Sequence, residues 1–106
     1  DRNSDFQNVY VKGKSKANRY LVMYVAQNNL SINRLGISVS KKVGNSVVRH
    51  HLTRLIREAY RLNSNMFNSS LDIVVIARNT AKDKTYKEVE SALLHLAKLH
   101  NILDEN

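Results

Sequence analysis

The chain has 106 residues, with 17 Lys and Arg against 9 Asp and Glu. A net charge of +8 on a chain of one-domain size predicts a polyanionic partner, nucleic acid first and an anionic membrane surface second. The lack of Cys excludes disulfide scaffolds, Cys–zinc sites and thiol catalysis, and no apolar run approaches the ~20 residues needed to span a bilayer.

Ser4 to Lys12 has the pattern of a short helix. Ser4 and Gln7 have capping-box spacing, Phe6, Val9 and Tyr10 share a face, and Gly13 suits a helix stop. Asn18 to Gln27 (NRYLVMYVAQ) predicts a strand with Leu21, Met23 and Val25 on one face and Tyr20, Val22 and Tyr24 on the other. Arg34 to Ser40 alternates as a second strand, turning Leu35, Ile37 and Val39 to a core. Asn28, Asn29 and Asn33 between the two suit a hairpin-like connection.

The longest helical signal runs from about Ser46 to Leu62, with Val48, Leu52, Leu55, Ile56, Ala59 and Leu62 on one stripe and Asn45 or Ser46 as the cap. Leu71 to Arg78 (LDIVVIAR) is apolar on both faces, as a buried strand is. Asp83 or Thr85 opens a last helix. Thr85 and Glu88 have capping-box spacing, and Val89, Leu93, Leu96, His100 and Leu103 form the inner stripe. Repeats, low-complexity stretches and linkers are absent, so residues 1–106 read as a single domain. Its class is α+β, a mixed β-sheet with packed helices in the order α-β-β-α-β-α.

The segment Lys41 to Arg61 (KKVGNSVVRHHLTRLIREAYR) holds six Lys or Arg and one acid, Glu58. At 100° per residue, His50, Arg54, Arg57 and Arg61 fall on one side of the helix, opposite its apolar stripe, and Arg49 and Thr53 flank them. Charged helix faces are usually just solvated, with their charges paired at i,i+4. Here the charges are nearly all of one sign and repel, which favours an anionic partner. Arg makes bidentate bonds to phosphate and stacks on bases, so RNA is the favoured polyanion. Gly44 and Asn45 lead into the positive end of this helix beside Lys41 and Lys42, an arrangement suited to anions.

Aromatic residues on a small domain are more often core than surface. Tyr20 and Tyr24 nevertheless lie opposite Leu21, Met23 and Val25, so one sheet face can act as an aromatic floor for unpaired bases. Catalytic and metal-ligating patterns are not evident. There is no Walker loop, the spacing of Asp72, Asp83, Glu88 and Glu90 predicts no two-metal site, and the spacing of the four His suits no single metal.

Gly36 to Arg57, GISVSKKVGNSVVRHHLTRLIR, resembles the signature of the bacterial ribonuclease P protein component. DFQNVYVKGKSKANRYLVMY (Asp5 to Tyr24) and DIVVIAR (Asp72 to Arg78) resemble further family stretches in the family's order. The resemblance implies an α+β fold like the second domain of ribosomal protein S5, with a left-handed βαβ crossover where the general rule expects a right-handed one. It implies a non-catalytic, cytoplasmic protein subunit that binds the catalytic RNA and precursor tRNA, with Mg2+ held mainly by the RNA, which hydrolyses the phosphodiester at the 5′ end of mature tRNA. Carried over by position, Lys41, Lys42, Gly44, Asn45, Arg49, Arg54 and Arg57 would contact RNA, and Phe6, Tyr10 and Tyr24 would contact the 5′ leader. His50 stands where the family usually has Asn, His51 where it often has a basic residue, and Thr53 where it usually has Lys. His50 and Arg61 join the expected RNA face by their place on the helix. The competing readings are a general RNA-binding module or RNA chaperone, which would not prefer precursor over mature tRNA, and a protein nuclease, for which the sequence offers no site.

Overall fold

A computed structural model describes residues 2–104, with side chains described from Phe6 onward. The elements are α1 (Arg2–Lys12), β1 (Lys14–Ala17), β2 (Leu21–Gln27), β3 (Arg34–Val39), α2 (Ser46–Asn63), β4 (Leu71–Ala77) and α3 (Tyr86–Leu99). Short 3-10 turns occupy Ser64–Met66 and Asn79–Ala81. The class is the expected α+β with a mixed sheet, in the order β1-β2-β4-β3. The expected element order lacked one strand, β1. Its sequence, KSKA, is exposed at every position, so it carries no apolar alternation to read. Backbone pairing with β2 alone defines it, from Lys14 opposite Val25 to Ala17 opposite Val22.

The connection between β2 and β3 is not a hairpin, because β4 lies between the two strands. β4 is buried on both faces, as a central strand covered by helices above and below is. It pairs antiparallel with β2 and parallel with β3, so β3–α2–β4 is a parallel crossover unit. The asparagines between β2 and β3 bind β4 and its approach instead. Asn28 Nδ2 donates to Asp72 Oδ1 (2.8 Å), and Asn33 Nδ2 donates to the Asn68 carbonyl (2.7 Å) while its Oδ1 accepts from Leu71 N (2.9 Å). Arg34 completes this corner with two bonds to the buried Asp72 carboxylate, at 2.8 and 2.7 Å. Bonding to Arg34 holds the Asp72 carboxyl below the usual aspartate range.

Register assigns the two faces of the sheet. Leu21, Met23, Leu35, Ile37, Ile73 and Val75 share one face, which packs with Leu52, Ile56 and Ala59 of α2 and Val89, Leu93 and Leu96 of α3 into the main core. Helix α1 lies on the other face, against β2 and β4, where Val9 and Val74 are buried.

The helix ends show where local chemistry sets the boundaries. α1 starts at Arg2, before the expected cap at Ser4, whose side chain lies outside the described residues. Gly13 follows α1 as expected, although it does not have positive φ. A Cβ there would lie 2.3 Å from the Val9 carbonyl oxygen and 2.9 Å from that of Val25, so close backbone approach requires the glycine. α3 has the expected capping box between Thr85 and Glu88. It stops at Leu99, short of His100 and Leu103, which the inner stripe had included. Asn101, at φ 59°, turns the chain, and the Ile102 and Asn101 amides donate to the Ala97 and Lys98 carbonyls, a Schellman ending. Leu103 instead bridges to Phe67, and His100 Nε2 lies 2.8 Å from the Met23 carbonyl oxygen. Leu62, expected on the inner stripe of α2, is 53% exposed.

Candidate nucleic-acid interface

The basic surface is built outward from the start of α2. Val43 is buried and anchors the turn after β3, with its amide donating to the Ser40 carbonyl and the Lys42 amide to the Ser40 hydroxyl. The turn leaves Lys41 and Lys42 exposed. At Gly44 a Cβ would lie 2.8 Å from Val48 Cγ1, so a side chain there would push the helix start away from the turn. Asn45 is the cap, and its Oδ1 accepts from Val48 N at 3.0 Å. The cap satisfies one of the free amides of the first turn, and that turn carries no acid, so the positive end of the helix dipole is uncompensated.

Burial of Leu52, Ile56 and Ala59 against the sheet fixes the rotation of α2 and turns His50, His51, Arg54, Arg57 and Arg61 to solvent. Arg54 and Arg57 form no ion pair among the described residues, whereas Arg61 is gripped by Glu58, Nε to Oε2 at 2.9 Å and Nη2 to Oε1 at 2.5 Å. The expected like-charge row is therefore neutralised at its last member. Bonding to Arg61 also lowers the Glu58 carboxyl below its ordinary range. Arg49 is half-buried, and its Nε is enclosed without an acceptor among the described residues. An enclosed donor left unsatisfied costs about 1–3 kcal/mol. Thr53 turns inward and donates its hydroxyl to the Arg49 carbonyl at 2.9 Å, so it offers nothing equivalent to a lysine.

The aromatic constellation lies on the opposite sheet face. The Tyr10 and Tyr24 rings meet edge to face, centroids 4.9 Å apart at 78°, and Tyr10 is 43% exposed. Burial first, and the neighbouring Tyr24 second, raise the Tyr10 phenol above its ordinary pKa. Phe6 seats on Gly36, where a Cβ would lie 2.5 Å from ring carbons Cε1 and Cζ. Val22, Ile76 and Ser38 form the adjoining cross-strand row, and all three keep solvent exposure. The floor is thus Phe6, Tyr10, Tyr24, Val22 and Ile76. Strand alternation places Val22 on the Tyr24 face; sequence reasoning missed Ile76, because β4 reads as apolar on both faces, and it missed the role of Gly36, although an isolated glycine in a strand signals close approach.

Tyr20 does not belong to this floor. It precedes β2 in a bend pinned by Asn18 Oδ1, which accepts from the Tyr20 and Leu21 amides. Its ring packs against the main core and lines a groove beside α3. Among the described residues no group of three or more His, Cys, Asp or Glu is placed to hold a metal ion, and no helix is long and apolar enough to cross a membrane.

The family profile described as Ribonuclease P matches residues 1–100. The chain is 67% identical to the ribonuclease P protein component of Lachnoclostridium phytofermentans over 101 residues, covering 95% of this chain and 87% of that protein. The solved RNase P protein of Staphylococcus aureus superposes with a TM-score of 0.89 at 42% identity, covering 98% of this chain and 95% of the other. That of Thermotoga maritima superposes at 0.86 with 33% identity, covering 93% and 94%.

Proposed function

Since the chain belongs to the bacterial ribonuclease P protein family, we propose that its α2 face binds the catalytic RNA while its aromatic sheet face holds the 5′ leader of precursor tRNA. Membership makes it the protein component of an endoribonuclease holoenzyme that acts in tRNA 5′ maturation, with ribonuclease P RNA as its partner. The observation that carries the finer reading is the exposed face of α2. Arg54 and Arg57 stand there without counter-ions among the described residues, beside a helix start free of acids, and an RNA backbone supplies the missing charge.

In this reading Lys41, Lys42, Gly44, Asn45, Arg49, His50, Arg54 and Arg57 meet phosphates, and Arg61 contributes less because Glu58 holds it. The leader lies across Phe6, Tyr10 and Tyr24, where flat rings stack unpaired bases without regard to sequence. Hydrolysis belongs to the RNA subunit, which binds most of the Mg2+, and the residues of this chain bind and orient. Residues 1–106 work as one RNA-binding domain in the cytoplasm.

Tyr24→Ala tests the leader assignment. It should cost roughly 1–3 kcal/mol of holoenzyme affinity for a leader-bearing precursor and leave affinity for leaderless tRNA unchanged. Equal losses on both substrates would contradict the assignment.

A further inference from the structure

A second basic site lies on the helical side of the sheet, away from both the α2 arginines and the tyrosine floor. Asn18, Arg19 and Tyr20, from the turn between β1 and β2, and Lys87, Ser91, Ala92 and His95 of α3 line an open groove. The Arg19 guanidinium lies 5.7 Å and the Lys84 ammonium 5.5 Å from the Tyr20 ring centroid. One ring thus holds two cations at the groove, where they repel each other, and Lys87 adds a third. Glu88, also in the lining, is the opposing acid. Its carboxylate accepts from the Thr85 amide and hydroxyl and feels the charges of Lys84 and Arg19, so one acid offsets one of three cations and the groove keeps a positive excess.

The groove also presents a defined donor. Asn18 Oδ1 accepts from two backbone amides and its Nδ2 donates to the Ala92 carbonyl at 2.9 Å, which fixes the orientation of the amide. The same Nδ2 lies 3.1 Å from His95 Nδ1. An amide N–H can only donate, so Nδ1 accepts and the ring N–H lies on Nε2. His95 is exposed, so this N–H is available to a ligand.

We propose that this groove binds a single-stranded segment of the catalytic RNA, with phosphates against Arg19, Lys84 and Lys87 and a sugar or base edge against Ala92 and His95. Charge complementarity selects a polyanion, and the apolar floor suits a base more than bare phosphate. The catalytic RNA is favoured over the leader because α3 packs in the same layer as α2, on the sheet face opposite Tyr24. β2 begins and β3 and β4 end at one edge of the sheet, which places Arg19 and Arg78 at the same end as Lys41 and Lys42.

The inference rests on the catalytic RNA being the partner, so Arg54→Gln serves as the reference. Binding of the full chain to ribonuclease P RNA alone is measured across a salt series for wild type, Arg54→Gln, Lys87→Gln and the double variant Arg19→Gln/Lys87→Gln. Loss of two single-strand phosphate contacts should make the log–log slope shallower by about 1.4, and Lys87→Gln alone by about 0.7. Both side chains are exposed, so folding is preserved, and Lys87→Gln on the outer face of α3 reads the site by itself. A flattened slope for Arg54→Gln with unchanged slopes for the groove variants would overturn this inference and leave the α2 reading standing. With holoenzyme binding to precursor tRNA measured alongside, unchanged slopes on the catalytic RNA and a loss confined to leader-bearing precursor would overturn it too, by assigning the groove to the leader. Unchanged slopes for all the variants would overturn the α2 reading together with this one.

Discussion

Gly36→Ala probes the link between the sheet and the leader floor. The added Cβ would lie 2.5 Å from two carbons of the Phe6 ring, whereas apolar carbons rest about 3.5–4.0 Å apart, so the ring must retreat by roughly 1–1.5 Å. Phe6 keeps some exposure and has room to move, which limits the overpacking cost to the low end of about 1–3 kcal/mol. Replacing a strand glycine returns roughly 0.5–1 kcal/mol of that, so the protein stays folded. The larger effect falls on function. If Phe6 stacks a leader base, its displacement removes about 1–3 kcal/mol, roughly a 5- to 150-fold loss of affinity for leader-bearing precursor tRNA. The assay is equilibrium binding of the holoenzyme to matched precursors with and without leader. Binding to the catalytic RNA should keep its salt slope, since α2 packs on the other sheet face. Unchanged leader-dependent affinity, with a folded variant, would refute the assignment of Phe6 and Gly36 to the leader floor.

Two substitutions on α2 should act in opposite directions. Arg54→Ala should flatten the salt dependence of RNA binding by about one unit of slope, and Glu58→Gln, which releases Arg61, should steepen it by about as much. A Glu58→Gln slope equal to that of wild type would show that Arg61 makes no phosphate contact even when free. The Asp72 carboxyl is held below its ordinary pKa by Arg34, so its stabilising contribution is present above the unfolded value of 3.8 and is lost as pH falls through the lower folded value. Thermal denaturation of wild type and Asp72→Asn from pH 6 down to about pH 2 should therefore converge only at the acid end, and parallel curves would contradict the ion pair's role. Arg34→Met should cost about 3 kcal/mol, the low end for breaking a buried pair, because the Arg34 side chain is 35% exposed.

What the sequence made legible follows from which forces act locally. The cap at Asn45, the capping box at Thr85 and the stripe of Leu52, Ile56 and Ala59 are short-range features, and they fixed the solvent-facing arginines of α2 before any contact was known. The family signature over Gly36 to Arg57 carried the fold. Pairing was not legible in the same way. β1 has no hydrophobic pattern, and the asparagines after β2 suit a hairpin equally well as the side-chain clamp on β4 that they form. Tyr20 looked like a partner of Tyr24 because strand alternation was extended back through a residue that a local Asn18 turn removes from the strand. The pairing of Arg61 with Glu58 was available at i,i+3 spacing, but the excess of positive charge obscured it.

The most direct test of the central claim is cleavage of precursor tRNA by a bacterial ribonuclease P RNA at low Mg2+, with and without this protein. Binding of the RNA and leader by the protein predicts restored cleavage when the two subunits are combined, and none from the protein alone. Failure to restore cleavage despite retained RNA binding, or cleavage by the protein alone, would contradict it.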